Sequence, residues 1–382
     1  MIKNSLKEKR IYFDWAASAP WALPPGTDIP FGNPSSLHTE GREAKRILED
    51  ARLRCADVLE VPPETLYFTS GGTESNSIML FSNLLKKSQG RVLSSMAEHA
   101  SIREGMDTLE KMGRPTGKIT VDSAGRVTPL TLEKAFDKFP DTRFVSIMSV
   151  NNETGAITDI EELGEVIQKK NGAPIHLHCD LVQAVGKIPI DLKNLEIDSA
   201  SISAHKICGP RGIGLLYCRK PLEVFYSGGG QENGRRGGTE NTHGAAALAD
   251  NLEKYVTSVS DNYKFAKTRW NKLITALSKM ERCIFIPKER SGSSQLFSPF
   301  ILQLAFKDIP GEVMARALDD LGFAVSTGSA CSSSSPERPV LVAMGIEEKL
   351  RIEGIRISQG YTTTDEDIDL LLNAITEVLK FL

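Results

Sequence analysis

A chain of 382 residues is long enough for two domains with a large buried core, at roughly 100–200 residues per domain. Its formal net charge of −3 argues against direct binding to nucleic acid or to a membrane surface. The charged N-terminus is followed by no apolar run, so neither a signal peptide nor a membrane span is predicted. Six scattered cysteines without a Cys-x-x-Cys pair indicate a reducing, cytoplasmic location rather than a disulfide framework.

Up to residue 218, predicted strands and helices alternate along the chain. A proline-rich stretch at residues 20–30 excludes a regular helix there, and a helix with three- and four-residue apolar spacing follows it. A second helix is predicted over residues 75–87, after a glycine turn. The strands are predicted at residues 11–15, 65–70, 91–95, 143–150, 173–179, 197–202 and 213–218. This alternation favours an α/β fold.

The rest of the chain predicts a second and smaller set of elements. Residues 227–241 are rich in glycine, and a segment of that length without secondary structure is more often functional or interfacial than merely flexible. A long helical region at residues 244–280 then leads to strands at 300–304, 323–325 and 354–358 and to helices at 311–321 and 364–379. We therefore predict a large domain at residues 16–245 and a small domain formed by residues 1–15 and 246–382.

Polar residues follow the predicted strands at the point where each strand ends. In an open α/β sheet the ligand crevice lies at the carboxyl ends of the strands, so such residues meet at one edge. The residues expected to converge there are His99, Asn152, Asp180, Ser203, His205 and Lys206. The sequence therefore predicts a single site at this edge of the sheet.

Lys206 lies where an apolar strand gives way to a glycine turn. A lysine in that position can be partly desolvated, which lowers its pKa as Schiff-base chemistry requires. Taken alone, so short a motif is more often a solvated lysine after an edge strand. Its neighbours favour the covalent role, because they supply the other groups that pyridoxal phosphate needs.

Three groups complete the predicted cofactor site. The glycine turn before Thr73 presents free backbone N–H groups to an anion, and Thr73, Ser203 and His205 add side-chain donors. Asp180 is placed to keep a pyridine nitrogen protonated. His99 supplies an aromatic face that can stack on the cofactor ring. Together these groups predict a pyridoxal-phosphate enzyme.

Other polar residues leave more than one interpretation. Arg356 suits either the carboxylate of an amino-acid substrate or a surface salt bridge. Asn33 can face a ligand, but its Asn-Pro sequence is typical of a turn. His176 and His178 form a His-x-His pair that more often packs or hydrogen-bonds than binds a metal, because no third ligand follows. Cys331, in a segment of small residues, is expected to be exposed.

Nine short motifs occur in a fixed order along the chain. They are residues 31–36, 68–76, 98–99, 150–155, 180–183, 203–206, 236–239, 328–331 and 355–358. In this order they resemble the cysteine desulfurases of the NifS/IscS type, a branch of the class V aminotransferase superfamily, from about residue 11 to the C-terminus. Many motifs in one order are far more specific than any one of them.

The resemblance implies a pyridoxal 5'-phosphate enzyme of fold type I, with a mixed, mostly parallel seven-stranded sheet in the large domain and a smaller α/β domain. It also implies a homodimer with shared active sites. Lys206 would bind the cofactor covalently, Asp180 its pyridinium nitrogen and Gln183 its phenolic oxygen, with His99 stacked on the ring. The other residues implied for cofactor binding are Gly72, Thr73, Asn152, Ser203, His205 and, from the neighbouring subunit, Thr239.

The same resemblance implies the reaction. L-cysteine would be converted to L-alanine, with His99 available for proton transfer and the Cys331 thiolate taking the sulfur as an enzyme-bound persulfide. Asn33, Asn152 and Arg356 would bind the substrate. The sulfur would pass to an acceptor protein, either a scaffold for iron–sulfur clusters or a protein of tRNA thiolation.

The sequence departs from the family pattern in two places, and two alternative functions stay open. The segment before residue 31 is short and proline-rich where the family has a longer one, and the loop after Cys331 is unusual. A selenocysteine lyase, or another class V aminotransferase or lyase acting on a different amino acid, is one alternative. A non-catalytic scaffold is the other. The motif that ends in Cys331 favours desulfuration, because a transaminase needs no mobile thiol.

Overall fold

The computed structural model describes residues 10–21, 31–86, 90–220, 228–292, 295–328 and 338–382. Within these ranges the predicted α/β fold is confirmed, with sheets of seven, three and two strands. The helices are α1 (Thr39–Leu59), α2 (Gly72–Ser82), α3 (Ala100–Lys111), α4 (Pro129–Lys138), α5 (Ile160–Lys169), α6 (Thr242–Thr257), α7 (Val259–Leu277), α8 (Gly311–Asp320), α9 (Pro339–Ala343), α10 (Glu348–Glu353) and α11 (Asp365–Phe381). None of these helices is long and apolar enough to cross a membrane.

The central sheet contains six of the strands predicted in the first part of the chain and a seventh, β4, that was not predicted; the predicted strand at residues 11–15 lies outside it. Its strands are β2 (Leu66–Thr69), β3 (Arg91–Ser95), β4 (Thr116–Ile119), β5 (Thr142–Met148), β6 (His176–Asp180), β7 (Ser199–Ser203) and β8 (Gly214–Cys218). Their order across the sheet is β2-β8-β7-β6-β5-β3-β4, and within it β8 runs antiparallel to both of its neighbours while the other pairs are parallel. Strands β2, β7 and β8 are buried along their whole length, because helices cover both faces of such a sheet.

Helix α2 differs from the prediction at both ends. It starts at Gly72, so the residues expected to form a turn are already its first turn. It ends at Ser82, because the Ser82 hydroxyl and the Asn83 amide donate to carbonyl groups of its last turn. Leu85, which lies within the predicted helix but beyond the end of α2, is 44% exposed. The single helical region predicted over 244–280 is also divided, into α6 and α7, at Ser258.

The C-terminal elements build a second core. The remaining strands are β1 (Ile11–Tyr12), β9 (Cys283–Ile286), β10 (Ile301–Phe306), β11 (Phe323–Ala324) and β12 (Gly354–Ser358). Strand β10 pairs antiparallel with β9 and β12, and β1 pairs parallel with β11. Buried residues from β10, α7 and α11 form an apolar cluster with Ile11 and Phe13.

The two apolar clusters support a division of the chain into two domains. Leu248 and Tyr255 of α6 pack in the cluster around the seven-stranded sheet, although both lie after residue 245. Within α7, Ala266 still belongs to that cluster, whereas Trp270 belongs to the second one. We propose that the large domain continues to about residue 266 and that the chain passes into the small domain within α7.

The glycine-rich segment is anchored by a buried ion pair. It contains a short 3-10 turn at Gln231–Gly234, so the expectation of a segment without any element was wrong at this point. The Glu232 carboxylate accepts hydrogen bonds from both terminal nitrogens of Arg52, each at 2.8 Å, and from the Phe68 backbone N–H at 2.8 Å. This bidentate pair fastens the segment to α1 and β2.

We predict that Glu232→Ala lowers the free energy of unfolding by about 3–5 kcal/mol, because the buried Arg52 guanidinium loses its buried partner and keeps only Glu49, whose side chain is 49% exposed. Urea denaturation followed by circular dichroism measures the change. The matched control is Glu312→Ala, which breaks a pair with Arg316 whose side chains are 73% and 84% exposed and which should change stability little. Equal losses in the two variants would contradict the prediction.

Candidate active site

A cavity of about 400 Å³ lies at the carboxyl edge of the seven-stranded sheet. Its volume is in the range of sites for small molecules and cofactors. The predicted residues that line it are Gly72, Thr73, His99, Asn152, Asp180, Gln183, Ser203, His205, Lys206 and Arg356. They come together because β2, β3, β5, β6 and β7 all end at this edge.

The structure does not bring every predicted residue to the cavity. Asn33 is exposed, and its side-chain oxygen accepts a hydrogen bond from the Ser35 N–H at 2.9 Å, as its turn-forming interpretation predicts. Thr239 is also exposed and does not line the cavity of its own subunit. Cys331 lies outside the described residues.

The start of α2 forms an anion cradle. Gly71 has a φ of 147°, and a Cβ added to Gly72 would lie 2.6 Å from a methyl carbon of Val182, so both positions require glycine. The first backbone N–H groups of the helix are free of intrahelical partners and carry its positive dipole end. The Ser203 hydroxyl lies 2.8 Å from His205 Nδ1 beside this turn. Backbone and side-chain donors therefore surround one small space.

Asp180 and His99 are held by hydrogen bonds behind the cavity. Asp180 Oδ2 accepts from Asn76 Nδ2 at 2.9 Å, and its Oδ1 accepts from the Val182 N–H at 3.0 Å. His99 is the N-cap of α3, and its Nδ1 accepts from the Ser101 N–H at 3.2 Å. Burial lowers the pKa of His99, and the charge of Lys206 adds to this effect while Asp180 opposes it.

Ala16 and Ala17, in the segment after β1, line one side of the cavity. Lys206, on the 3-10 turn after β7, donates hydrogen bonds from Nζ to the carbonyl groups of Ala16 and Ala17, each at 2.7 Å. The Ala16 carbonyl also accepts from Gln183 Nε2 at 2.9 Å. Lys187 donates to the other side of that amide, at 2.6 Å from Gln183 Oε1. The orientation of the Gln183 amide is thus determined by two opposite partners.

Arg356 is buried, so its alternative interpretation as a surface salt bridge is wrong. Its side chain is 1% exposed and donates to the Asn152 carbonyl at 2.9 Å and to Asp14 Oδ1 at 2.7 Å. Arg356 Nε and Asn152 Oδ1 are buried without a hydrogen-bond partner in the described part of the chain. Buried polar atoms without partners are uncommon, and here they are consistent with a polar ligand.

Burial shifts the pKa of two ionisable groups close to the cavity. Burial raises the pKa of Glu98 to about 8, and the nearby Asp180 carboxylate adds to this effect. Burial lowers the pKa of Lys187 to about 7, and the charge of Lys206 adds to that shift. Both groups therefore favour their neutral forms more than they would in water.

Sequence reasoning missed several residues of the site. Asn76, Asp14 and the two alanine carbonyl groups were not predicted, although all of them contact predicted residues. The signal for Asn76 was available, because a residue four positions after Gly72 in a helix lies on the same face. No local pattern indicates Asp14, whose partner is far away along the chain.

Both histidines of the His-x-His pair take part in hydrogen bonds. His176 Nε2 and His178 Nδ1 each lie 2.8 Å from the Ser199 hydroxyl, and His178 Nε2 lies 3.0 Å from Asn76 Oδ1. Among the residues that the structure describes, no group of three or more histidine, cysteine or acidic residues could hold a metal ion. The pair instead packs behind the active site.

Comparison with known proteins identifies the family. The model of the class V aminotransferases matches residues 30–371. The cysteine desulfurase IscS of Dictyoglomus turgidum is 35% identical over 384 residues, which cover 98% of this chain and 95% of that protein. The cysteine desulfurase IscS of Methanosarcina thermophila is 34% identical over 392 residues, covering 98% and 93%. A solved NifS-like protein has a TM-score of 0.87 and 34% identity, and the match covers 98% of this chain and 100% of that one.

The fold, the residues of the cavity and the sequence similarity all indicate the same family. The chain belongs to the class V aminotransferases and, within them, to the cysteine desulfurases of the NifS/IscS type. It is therefore an enzyme, as the sequence predicted, and its family depends in general on pyridoxal phosphate.

We predict that acidification destabilises the protein partly through His178. Burial lowers the pKa of this histidine to about 3, whereas in the unfolded chain it titrates near 6.5. Between these values the unfolded state binds the additional proton, so stability falls as the pH falls. His178→Gln should therefore remove about 2 kcal/mol from the stability difference between pH 7 and pH 5, as measured by urea denaturation. Exposed His243, replaced by Asn, is the control, and an unchanged difference in His178→Gln would refute the prediction.

Proposed function

We propose that this protein uses pyridoxal 5'-phosphate to convert L-cysteine to L-alanine and retains the sulfur as a persulfide on Cys331. The observation that carries this proposal is the single cavity that Lys206, Asp180 and the anion cradle line together. Its support is the 35% identity to a cysteine desulfurase over 98% of the chain. Retained sulfur of this kind supplies iron–sulfur cluster assembly or tRNA thiolation in such a family.

The residues of the cavity fit the cofactor. Lys206 would bind its aldehyde carbon, and Asp180, held as an acceptor by Asn76 and Val182, would bind its pyridinium nitrogen. The anion cradle would bind the phosphate through Gly72 and Thr73, together with Ser203 and His205, which line the same cavity. Gln183 would contact the phenolic oxygen, and His99 and Asn152 would contact the ring. The cofactor supplies an electron sink that weakens bonds at the substrate's α-carbon.

Arg356 is the proposed anchor of the substrate carboxylate. Its guanidinium is already oriented by Asp14 and Asn152, and its unpartnered Nε–H is a donor that a carboxylate could satisfy. An oriented guanidinium loses little side-chain freedom on binding, so the substrate is positioned at small entropic cost. Asn152 would add its free amide oxygen as an acceptor for the substrate's amino group. We do not include Asn33, because its side chain closes its own turn.

Two side chains would carry out the chemical steps. The Lys206 amine, which the substrate's amino group would displace, would take the proton from the substrate's α-carbon and later return it. The Cys331 thiolate would attack the substrate sulfur, so that a sulfur–sulfur bond forms as the bond between sulfur and Cβ breaks. The electron pair of that bond remains with the substrate and takes up a proton, which completes the methyl group of alanine.

We also propose a homodimer in the cytoplasm. Thr239 is exposed in the monomer, and the ion pairs Arg52–Glu232 and Arg236–Glu74 fasten its segment to the surface next to the cavity. A segment held in this way can present Thr239 to the phosphate site of a second subunit. The cysteines within the described ranges are all unpaired, which fits a reducing compartment. The persulfide sulfur would then pass to an acceptor protein.

We predict that Cys331→Ala loses sulfur transfer. The protein loaded with pyridoxal phosphate is incubated with L-cysteine and a reductant, and alanine and sulfide are measured. The intact protein should release both products, whereas the variant should release neither above background, because no thiolate attacks the substrate sulfur. Cys283→Ala, at a partly buried cysteine on β9, is the matched control and should keep full activity. Alanine release by Cys331→Ala at the intact rate would contradict the assigned nucleophile.

We predict that Arg356→Gln lowers kcat/KM for L-cysteine about 10- to 100-fold, because a charge-assisted hydrogen bond contributes roughly 1.5–3 kcal/mol. Most of the change should appear in KM if the contact is equal in ground and transition states. Arg316→Gln, at an arginine that is 84% exposed on α8, is the control. An unchanged kcat/KM in a folded Arg356→Gln variant would rule out the anchor.

A further inference from the structure

Behind Asp180 and His99 runs a chain of hydrogen bonds that the proposed reaction does not use. It leads from Ser101 to Asn76, His178, Ser199 and finally His176. Its central members are fully buried: Asn76 is 1% exposed, and His178 and Ser199 are 0% exposed. A buried polar network is retained only when each of its donors finds an acceptor, so the direction of every hydrogen bond in it can be deduced.

The first direction is determined at His99. The backbone N–H of Ser101 can only donate, and it lies 3.2 Å from His99 Nδ1, so that nitrogen carries no hydrogen. The Ser101 hydroxyl lies 2.9 Å from the same nitrogen and must donate to it as well. Since a hydroxyl has one hydrogen, Ser101 Oγ is then an acceptor toward Asn76 Nδ2, which lies 2.9 Å away.

The second direction is determined at Asp180. A carboxylate only accepts, so the other hydrogen of Asn76 Nδ2 is donated to Asp180 Oδ2 at 2.9 Å. Both amide hydrogens are now used, and Asn76 Oδ1 must accept from His178 Nε2 at 3.0 Å. His178 is therefore the donor that holds the Asn76 amide in this orientation. The Ser201 hydroxyl is a weaker neighbour, at 3.4 Å from the same ring nitrogen.

The remaining members follow in the same sense. Burial lowers the pKa of His178 to about 3, so its ring is neutral and has one N–H, on Nε2. Its Nδ1 accepts from the Ser199 hydroxyl at 2.8 Å, and Ser199 Oγ in turn accepts from His176 Nε2 at 2.8 Å. The hydrogen bonds of Ser199 and His176 are therefore compatible with an N–H on His178 Nε2, as the contacts of Asn76 require.

We propose that Asn76 and His178 are positioning residues that fix the Asp180 carboxylate and hold His99 as the neutral tautomer with its hydrogen on Nε2. In that state the Nε2–H of His99 is a hydrogen-bond donor, and Nε2 has no free lone pair with which to accept a proton from the substrate. This assignment revises the proton-transfer role predicted for His99 and leaves proton movement to Lys206. It rests on the proposed function only for the identity of the reaction.

A proton on His99 Nδ1 would require the hydrogen bonds of this network to reverse their direction. The Ser101 N–H would lose its acceptor, and the Ser101 hydroxyl would have to donate to Asn76. The Asn76 amide would then have to turn over and direct its oxygen at the Asp180 carboxylate, so that two acceptors face each other. Leaving buried groups unsatisfied costs about 1–3 kcal/mol each, so the deduced direction is strongly favoured.

The test measures the tautomer of His99 in the full chain by ¹⁵N NMR with labelled histidine at neutral pH. His99→Gln assigns the signal, since the chain has six histidines. We expect an unprotonated Nδ1 and a protonated Nε2 in the intact protein. In His178→Ala the Asn76 amide loses its donor while the Ser101 N–H still donates to His99 Nδ1, so we expect the same tautomer with changed ¹⁵N chemical shifts. A protonated Nδ1 in the intact protein would overturn the proposal.

Kinetics of the loaded enzyme provide the second measurement. His178→Ala should lower kcat about tenfold or more, the effect typical of partners that orient a functional group from behind, with little change in KM. His178→Gln keeps an N–H donor and should restore part of the loss. Ser146→Ala removes a buried hydroxyl on β5 that is beside His178 in the sheet and has no hydrogen-bond partner in the described part of the chain, so it should match the intact protein.

The outcomes separate this proposal from the proposed function. If the loaded protein releases no alanine but His99 shows the expected tautomer and responds to His178→Ala, the reaction is wrong and the positioning roles stand. If alanine is released but a folded His178→Ala keeps both the intact ¹⁵N chemical shifts of His99 and the intact kcat, the positioning roles are wrong. Should His178→Ala not fold, Ser199→Ala replaces it, because it removes the donor to His178 Nδ1 and must shift the same signal.

Discussion

Asp180 and Arg356 carry charge at positions that are 2% and 1% exposed, and a buried charge is stable only when it is paired or hydrogen-bonded. The arrangement of the cavity follows from this constraint. Asp180 is held by an amide and a backbone N–H, and Arg356 by a carboxylate and a carbonyl group. Lys206 is directed at two carbonyl groups of the N-terminal segment. Each functional side chain is thereby oriented before any ligand arrives, which is what efficient catalysis requires.

The same contacts join the two apolar cores. Arg356 lies on β12, in the sheet of the second core, and reaches Asn152, which follows β5 of the first. Ser358, two residues further along β12, accepts from the Ala16 N–H at 2.9 Å and donates its own N–H to the Phe13 carbonyl at 2.8 Å. The proposed substrate anchor therefore depends on the packing of one core against the other. A movement between the cores would change the position of Arg356 relative to Lys206.

Much of the fold and of the site could be predicted from local patterns. Apolar runs such as those around Val145 and Leu215 predicted strands of the central sheet, because strands of a sheet that is covered on both faces are apolar along their whole length. Asp180 and Lys206 were predicted for the site because each follows such a strand. Helix ends were predicted less well, since the end of α2 depends on hydrogen bonds from Ser82 and Asn83 to the preceding turn. Periodicity does not reveal such bonds.

The sequence by itself determined the α/β class, the family and most of the functional residues that line the cavity, because these depend on residue types at short and regular spacings. Only the tertiary structure decided how those residues are held. Asp14 and Arg356 are 342 positions apart, and Asn76 and Asp180 are 104 apart, yet each pair lies within hydrogen-bonding distance. Such contacts form when buried polar groups satisfy one another across elements, and the partner is selected by packing rather than by local sequence.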